Sequence, residues 1–335
     1  MAYTVTHNAD LRPWHTFRLY GSRCDCMVEY DSAHDLTQIF ANATLPHPIL
    51  PIGGGSNIFF NESFAGTVLH CTDRNIAIDR RSIHVGAAVV LDDLCRIAAA
   101  NGLWGAESLS GIPGEISGAI VQNAGAYGAE MADIIESVSV YDIQSGQLRE
   151  LTNADCRFGY RTSRFKDTAP TQPQFIITGA RLKLSEVRPA QQKHRAVELT
   201  TASTPESVRA DVLKLRDSKL PDPAMTGSAG SFFKNPVISR DLLLHIQQVD
   251  PEEQVPTYPV DDNNVKVPAA WLIDHCGLKG TAQGGAAVWQ LQPLVLVNHT
   301  GTATANDVNT LAQHITSQVY QRYGVTLERE VIYIH

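Results

Sequence analysis

The clearest periodicity in the chain lies near its end. Val308, Leu311, Ala312, Ile315 and Val319 recur every three or four residues, which predicts an amphipathic helix over 305–323 capped by Gly324. The same spacing in Leu91, Leu94, Cys95 and Ala98 predicts a helix over 91–100 that stops at Asn101-Gly102. Short apolar runs at 49–52, 67–70, 76–79, 83–87 and 175–184 read as strands, and 138–143 with 148–151 read as a hairpin turning at Ser145-Gly146. Thr204, with Glu206 soon after, opens a helix carrying Val208, Val212 and Leu215 on one face. Further on, 268–276 predicts a short helix, 294–298 a buried strand, and 325–334 a final strand on which Glu330 shares a face with Ile332 and Ile334.

These elements divide the chain. Residues 1–185 are rich in short strands with intervening helices. Residues 186–220 are polar and helical, broken at Lys219-Leu220-Pro221-Asp222-Pro223, and read as a connecting segment. Residues 221–335 alternate helix and strand. A length of 335 residues suits about two domains.

Composition narrows the function. The formal net charge of −8 argues against nucleic acid or an anionic membrane as the main partner, so an anionic ligand must find local cations. No apolar run reaches the roughly 18 residues of a spanning helix, so no membrane insertion is expected. The first residues lack a signal-peptide pattern. Six scattered cysteines, without a C-x-x-C pair or a His-rich cluster, fit free thiols in a reducing cytoplasm and no metal site.

Three glycine-bearing stretches are the candidate chemistry. Gly53-Gly54-Gly55-Ser56-Asn57 follows an apolar strand. It is neither a Rossmann fingerprint nor a P-loop, and by itself it is either a tight turn or an anion cradle. The stretch 108–128 interleaves Gly and Ala with Ser, Gln and Asn, leaving room for an extended, flat ligand or serving only as an irregular connection. Together the two suggest a nucleotide or dinucleotide. The third, Thr226-Gly227-Ser228-Ala229-Gly230-Ser231, reads as a polar flexible loop that runs into Phe232 and Phe233 as one wall of a pocket.

Ordered blocks then resemble a known family. Gly53–Asn57, Ile112-Pro113-Gly114 and Gln122-Asn123-Ala124-Gly125-Ala126-Tyr127-Gly128 are similar to the flavin-binding elements of the UDP-N-acetylenolpyruvoylglucosamine reductases, the MurB-type enzymes of peptidoglycan synthesis. Residues 156–163, 219–223, 229–236, 270–274 and 327–331 match later blocks in order, over nearly the whole chain. The resemblance implies an α+β protein: a two-part FAD-binding domain of the vanillyl-alcohol-oxidase (PCMH) type over 1–185, and an α+β domain over 221–335 that binds the UDP-sugar. It implies non-covalent FAD, NADPH as co-substrate and UDP-N-acetylglucosamine enolpyruvate as substrate. Cofactor-binding positions would be Gly53, Gly54, Gly55, Ser56, Asn57, Ile112, Pro113, Gly114, Gly118, Gln122, Asn123, Gly125, Ala126 and Tyr127.

The resemblance also implies the reacting residues. Arg161 matches the arginine near the flavin, Ser231 the proton donor, and Glu330 the second carboxylate of the last block. Hydride from NADPH would pass by way of the flavin to the terminal enolpyruvyl carbon. Fixed cations would stabilise the enolate-like charge, and a proton would complete the step. Lys219, Lys234, Asn235 and Lys266 are the positions expected to hold the substrate's diphosphate and carboxylate.

Two departures stand out. The family branch carries a substrate-closing tyrosine in the connecting segment, but residues 185–201 have none, and His194 and Arg195 stand near its place. The last block continues with Ile332 where the family has arginine, which removes one cation near Glu330. A flavin oxidase of the same fold and a non-catalytic nucleotide-sugar-binding protein are the competing readings. Neither uses the 229–236 and 327–331 blocks as a catalytic set.

Overall fold

The computed structural model describes residues 3–188 and 203–335. The chain folds as two units, each gathered from three stretches. The first comprises Met1–Asp10, Arg23–Gly55 and Phe64–Asp217; the second comprises Leu11–Ser22, Ser56–Ser63 and Ser218–His335. Helices and strands mix in both, so the α+β class expected from the sequence is the class that forms.

Among the described residues the first unit holds one two-stranded hairpin and two larger sheets. One has the order Tyr3–Asp10, Arg23–Tyr30, Phe64–Cys71, Ile49–Ile52, with an antiparallel first pair and parallel pairs thereafter. Phe64–Cys71 sits between two parallel neighbours and is buried at all but one position, as a strand covered on both faces must be. The helix Ala33–Asn42 covers this sheet. Ser32 and Asp35 close a reciprocal capping box at its start, and Leu36 and Ile39 pack with Val28, Ile49 and Leu69.

The second sheet is antiparallel, in the order Gln147–Thr152, Ile135–Asp142, Phe175–Lys183, Ser82–Gly86, Ile76–Asp79. Its hairpin turns where expected, because Asp142 Oδ1 accepts from the Gln144 N–H at 3.0 Å and Gly146 takes a φ of 67°. Helices Leu91–Ala100 and Ile116–Gln122 bury Leu91, Leu94, Cys95, Ala98, Ile116 and Ile120 in the same core as Val138, Val140, Ile177 and Leu182.

The stretch read as a connector contains the helix Pro205–Asp217, which packs within the first unit. Val208 and Val212 are fully buried beside Trp104. On its polar side Arg209 grips Asp92 through both guanidinium arms, with Nη2 2.8 Å from Oδ2, and the Gly111 N–H donates to Asp92 at 2.7 Å. Apolar spacing predicted the helix; the fork on Asp92 gives it a docking place. His194 and Arg195 lie outside the described residues.

In the second unit, Gly227–Ser231, Val295–Asn298, Ala286–Val288 and Ala282–Gln283 form an antiparallel sheet. The helix Ala305–Tyr323 matches its predicted bounds. Val308, Leu311, Ala312, Ile315 and Val319 are buried, Thr304 and Asp307 form its capping box, and Gly324 ends it at φ 69°.

Two expectations fail here. Gly227–Ser231 is a strand and not a flexible loop, and Phe232 and Phe233 are 1% exposed in the core instead of lining a pocket. Gly227 serves close packing, since a Cβ there would stand 2.4 Å from the Phe17 carbonyl oxygen, while Gly230 takes a left-handed φ of 70°. The predicted strand over 325–334 survives only at Ile332–Ile334, which pairs in parallel with Ile58–Phe60. Glu330 lies before that strand, because residues 328–330 bond to residues 232–234 and the chain must change partner after Glu330.

The Arg209 fork holds the Asp92 carboxyl below its ordinary 3.8, assisted by the Gly111 N–H. A carboxylate more acidic in the folded chain stabilises fully above 3.8 and loses that contribution as pH falls through its lower folded value. Asp92→Asn should therefore lower the urea midpoint of the first unit at neutral pH. The gap from wild type should shrink as pH drops below 3.8, and a gap independent of pH would contradict the assignment.

Candidate active site

In the first unit, the turn Gly53–Gly55 leaves the strand Ile49–Ile52 and lies against the start of the helix Ile116–Gln122. A Cβ on Gly53 would stand 2.8 Å from Ser117 Oγ and 3.0 Å from the Gly118 nitrogen; one on Gly54 would stand 3.1 Å from Gly114 Cα. Only glycine permits that approach. The Ile116 and Ser117 amides donate to the Val89 and Ala87 carbonyls, so the first helical N–H groups are spent within the protein. Gly118, by contrast, faces open space where a Cβ would be. Ile112-Pro113-Gly114 connects the 3-10 turn Glu107–Leu109 to this helix, tied by Leu91 N–H to Gly114 O at 3.0 Å.

The next block is a small hairpin. Gly125–Ala126 pairs with Ala129–Glu130, and Tyr127 and Gly128 take φ values of 48° and 74°, both left-handed as a two-residue hairpin turn requires. A second tight turn, Gly159 to Thr162, holds Arg161 at φ 54°. The two turns are joined. Arg161 donates to Gly125 O at 2.8 Å, Ser163 Oγ to Val121 O at 2.7 Å, and Lys166 Nζ to both Gln122 Oε1 and Arg161 O. Asn123, fully buried and itself left-handed, donates from its amide to Glu130 and to Gly159 O, and accepts from the Ala132 N–H. Both amide protons are thus used inside the protein. Asn123 builds the loop and has no donor left for a ligand.

The second unit carries the other group. Ser231 ends the strand Gly227–Ser231, whose register slips between Ser228 and Ser231, and Gly230 takes φ 70° in that irregularity. A bulge re-aims the next side chain, and Ser231 is exposed while its neighbours Ala229 and Phe232 are buried. The Glu330 N–H donates to Phe232 O at 2.8 Å and the Lys234 N–H to Glu328 O at 2.8 Å, so the Ser231 and Glu330 segments are neighbours. Lys234 Nζ pairs with Glu328 at 3.2 Å, both more than half exposed, a contact worth little to stability. Asn235 Oδ1 accepts from the Ala269 N–H and caps the helix Ala269–His275, while Lys266 lies on the strand Asn264–Lys266 opposite Val237. Lys219 is exposed, and its carbonyl accepts from Trp289 Nε1 at 3.0 Å.

Asn57 and Ser56 belong to this second unit. The Asn57 carbonyl accepts from the Ile332 N–H at 2.9 Å, while its Nδ2 is buried without a hydrogen-bond partner among the described residues. A buried amide donor of that kind is suited to an acceptor on a ligand.

Sequence reasoning missed several groups. Arg216 lies by Tyr127 and within 3.0 Å of where a Gly111 Cβ would be; burial lowers the pKa of its guanidinium and the Tyr127 hydroxyl opposes that shift. His70 and Glu115 form a buried pair at 3.0 Å under the Gly54 turn. Neither carries a motif, because each pairing is set by tertiary contact. The cysteines offer no nucleophile: burial pushes the Cys71 and Cys156 thiols up to about 11 and Cys95 up to about 12. Among the described residues there is no metal-holding cluster and no helix long and apolar enough to cross a membrane.

Comparison with known proteins gives these geometries a context. Residues 24–152 match the FAD binding domain family, and residues 222–334 match the UDP-N-acetylenolpyruvoylglucosamine reductase C-terminal domain family. The chain is 38% identical over 322 residues to the UDP-N-acetylenolpyruvoylglucosamine reductase of Porphyromonas gingivalis, covering 93% of this chain and 94% of that one. To the Pasteurella multocida enzyme of the same name it is 39% identical over 334 residues, covering 97% and 96%. The crystal structure of the Thermus caldophilus reductase is similar at a TM-score of 0.69 with 26% identity, over 99% of each chain.

FAD fits what the residues offer. The glycine backbone at 53–55 and 114–118 permits close approach of a ligand within the first unit. Gly53→Ala forces backbone to move at a cost of about 1–3 kcal/mol. It should weaken FAD binding by up to about 10²-fold, read as flavin absorbance lost on desalting; full retention would count against the cradle. With both of its domains matched and relatives aligned along nearly its whole length, the chain belongs to the UDP-N-acetylenolpyruvoylglucosamine reductase family and is an FAD-dependent oxidoreductase.

Proposed function

We propose that this chain reduces the enolpyruvyl ether of UDP-N-acetylglucosamine to UDP-N-acetylmuramate, a step in making peptidoglycan precursors, with NADPH as hydride source. FAD, when bound, carries the hydride equivalent between the two. The observation that carries the reading is the bulge at Gly230, which exposes the Ser231 hydroxyl on a segment bonded directly to the Glu330 segment.

The chemistry gives each residue a task. A hydride added to the terminal enolpyruvyl carbon leaves negative charge on the adjacent carbon and its carboxylate. Ser231 delivers its hydroxyl proton to that carbon, and Glu330 in its acid form passes its own proton to the serine oxygen and ends as the carboxylate. A serine hydroxyl is a weak acid, so positive charge must stand near it. Lys219 and Lys234 serve this need, and Lys266 with them holds the diphosphate and carboxylate of the substrate. Arg161 acts at the flavin, held by its bond to Gly125 O and its left-handed backbone. Asn235 keeps its amide NH₂ for the substrate while its oxygen caps the helix Ala269–His275. The UDP-sugar is assigned to residues 221–335 and FAD to residues 1–185.

The direct test is spectroscopic. The purified protein should be yellow, bleach with NADPH under anaerobic conditions, and regain colour on adding the UDP-enolpyruvyl sugar. Bleaching without recovery by that sugar would overturn the assignment. Ser231→Ala should leave bleaching near normal while turnover falls by about 10²-fold or more. Loss of bleaching itself, or unchanged turnover, would remove Ser231 from the proton-donor role.

A further inference from the structure

Arg329 stands directly before Glu330, and its side chain touches three separate segments of the second unit. Its guanidinium carbon lies 5.7 Å from the centre of the Phe232 ring and 4.5 Å from that of Tyr333. One nitrogen donates at 3.0 Å to Oδ1 of Asn309 on the helix Ala305–Tyr323. Asn309 Nδ2 donates in turn to Asn61 Oδ1 at 2.6 Å, and the Asn61 N–H donates to Ile334 O at 2.9 Å. Tyr333 stacks on Phe59, with ring centres 5.2 Å apart and planes at 27°. The circuit closes on itself, from Arg329 through Asn309, Asn61 and Ile334 to Tyr333 and back.

The backbone on either side of Glu330 depends on this circuit. Arg329 forms a bridge with Phe233, the Glu330 N–H bonds to Phe232 O, and the Ile332 N–H bonds to Asn57 O. Between these points the chain leaves one partner and joins another, the kind of junction where a carboxylate would swing without an anchor. Phe232, which the guanidinium covers, is the residue after Ser231. One planar cation thus restrains both segments that carry the proposed acid and carboxylate. Only arginine can lie against a ring and donate sideways to an amide at once; an ammonium offers a point charge without that plane.

We infer that Arg329 is a positioning residue for the reaction: by gripping Phe232, Tyr333 and Asn309 it sets where Glu330 stands relative to Ser231. The inference rests on the proposed roles of those two residues.

The test is a double-mutant cycle with Arg329→Met and Glu330→Gln, followed under anaerobic conditions in both halves of the reaction. Flavin bleaching by NADPH should be unaffected by either change. Reoxidation by the UDP-enolpyruvyl sugar should slow about 10- to 100-fold in Arg329→Met, in kcat and not in KM. Adding Arg329→Met to Glu330→Gln should cost nothing further, because the first acts through the second. Arg329→Lys should recover little. Asn309→Ala, which removes the acceptor of Arg329 together with the amide that donates to Asn61, should give the same pattern more weakly and serves if the methionine variant does not fold. Equal losses in both backgrounds, or equal slowing of bleaching and reoxidation, would show a merely structural residue and overturn the inference while leaving the proposed reaction intact. A wild type that the sugar does not reoxidise would overturn both.

Discussion

Three backbone contacts bring the two proposed reacting segments of the second unit together. Residues 232–234 and 328–330 are almost a hundred positions apart, and the Glu330 N–H, the Lys234 N–H and the Phe233–Arg329 bridge bring them side by side. Without that pairing, the exposed hydroxyl of Ser231 would be an ordinary loop group and Glu330 an ordinary end-of-strand carboxylate. The pairing also explains why the last strand is short. Backbone groups committed to 232–234 cannot serve Ile58–Phe60 at the same time, and the chain changes partner at Glu330, the carboxylate proposed to take part in the reaction.

The first unit meets a similar problem by other means. Its two tight turns, at Tyr127-Gly128 and Tyr160-Arg161, place bulky residues in left-handed backbone that only surrounding bonds can maintain. Asn123, Ser163 and Lys166 supply those bonds, each reaching from one turn's neighbourhood to the other. An arginine held at φ 54° with its guanidinium on a glycine carbonyl has little freedom left, which suits the place at the flavin proposed for it.

How much of this could be read in advance follows from range. The helices Leu91–Ala100 and Ala305–Tyr323 were legible to the residue, because period and stop signals are local. The hairpin between Ile135–Asp142 and Gln147–Thr152 was legible in kind and in its turn at Ser145-Gly146, with strand ends off by up to three residues from the predicted 138–143 and 148–151. The glycines of 227–231 misled, because Gly227 packs beside Phe17, a reason written more than two hundred residues away, and Gly230 supplies the left-handed backbone of the bulge. The hairpin at Tyr127-Gly128 lacks the Asn-Gly signal that would have disclosed it. Family blocks located Ser231, Glu330 and Arg161, but no block marks Arg216, Asn309 or the guanidinium of Arg329, whose surroundings exist only in three dimensions.

The interlock of Gly227 with Phe17 has a consequence for how the second unit comes into being. Thr16 Oγ1 donates to Ser228 O at 2.6 Å across a separation of 212 positions, and Phe17, Leu19 and Phe59 sit in a core otherwise built from residues beyond 228. During synthesis those early residues leave the ribosome long before their partners exist. Closure of the core must therefore await the last part of the chain, and contacts so distant in sequence slow folding. A clone beginning at Ser218 would lack three buried side chains and the backbone partners of Ser228. The half proposed to bind the substrate is thus not a cassette that can be cut out, swapped or screened by itself.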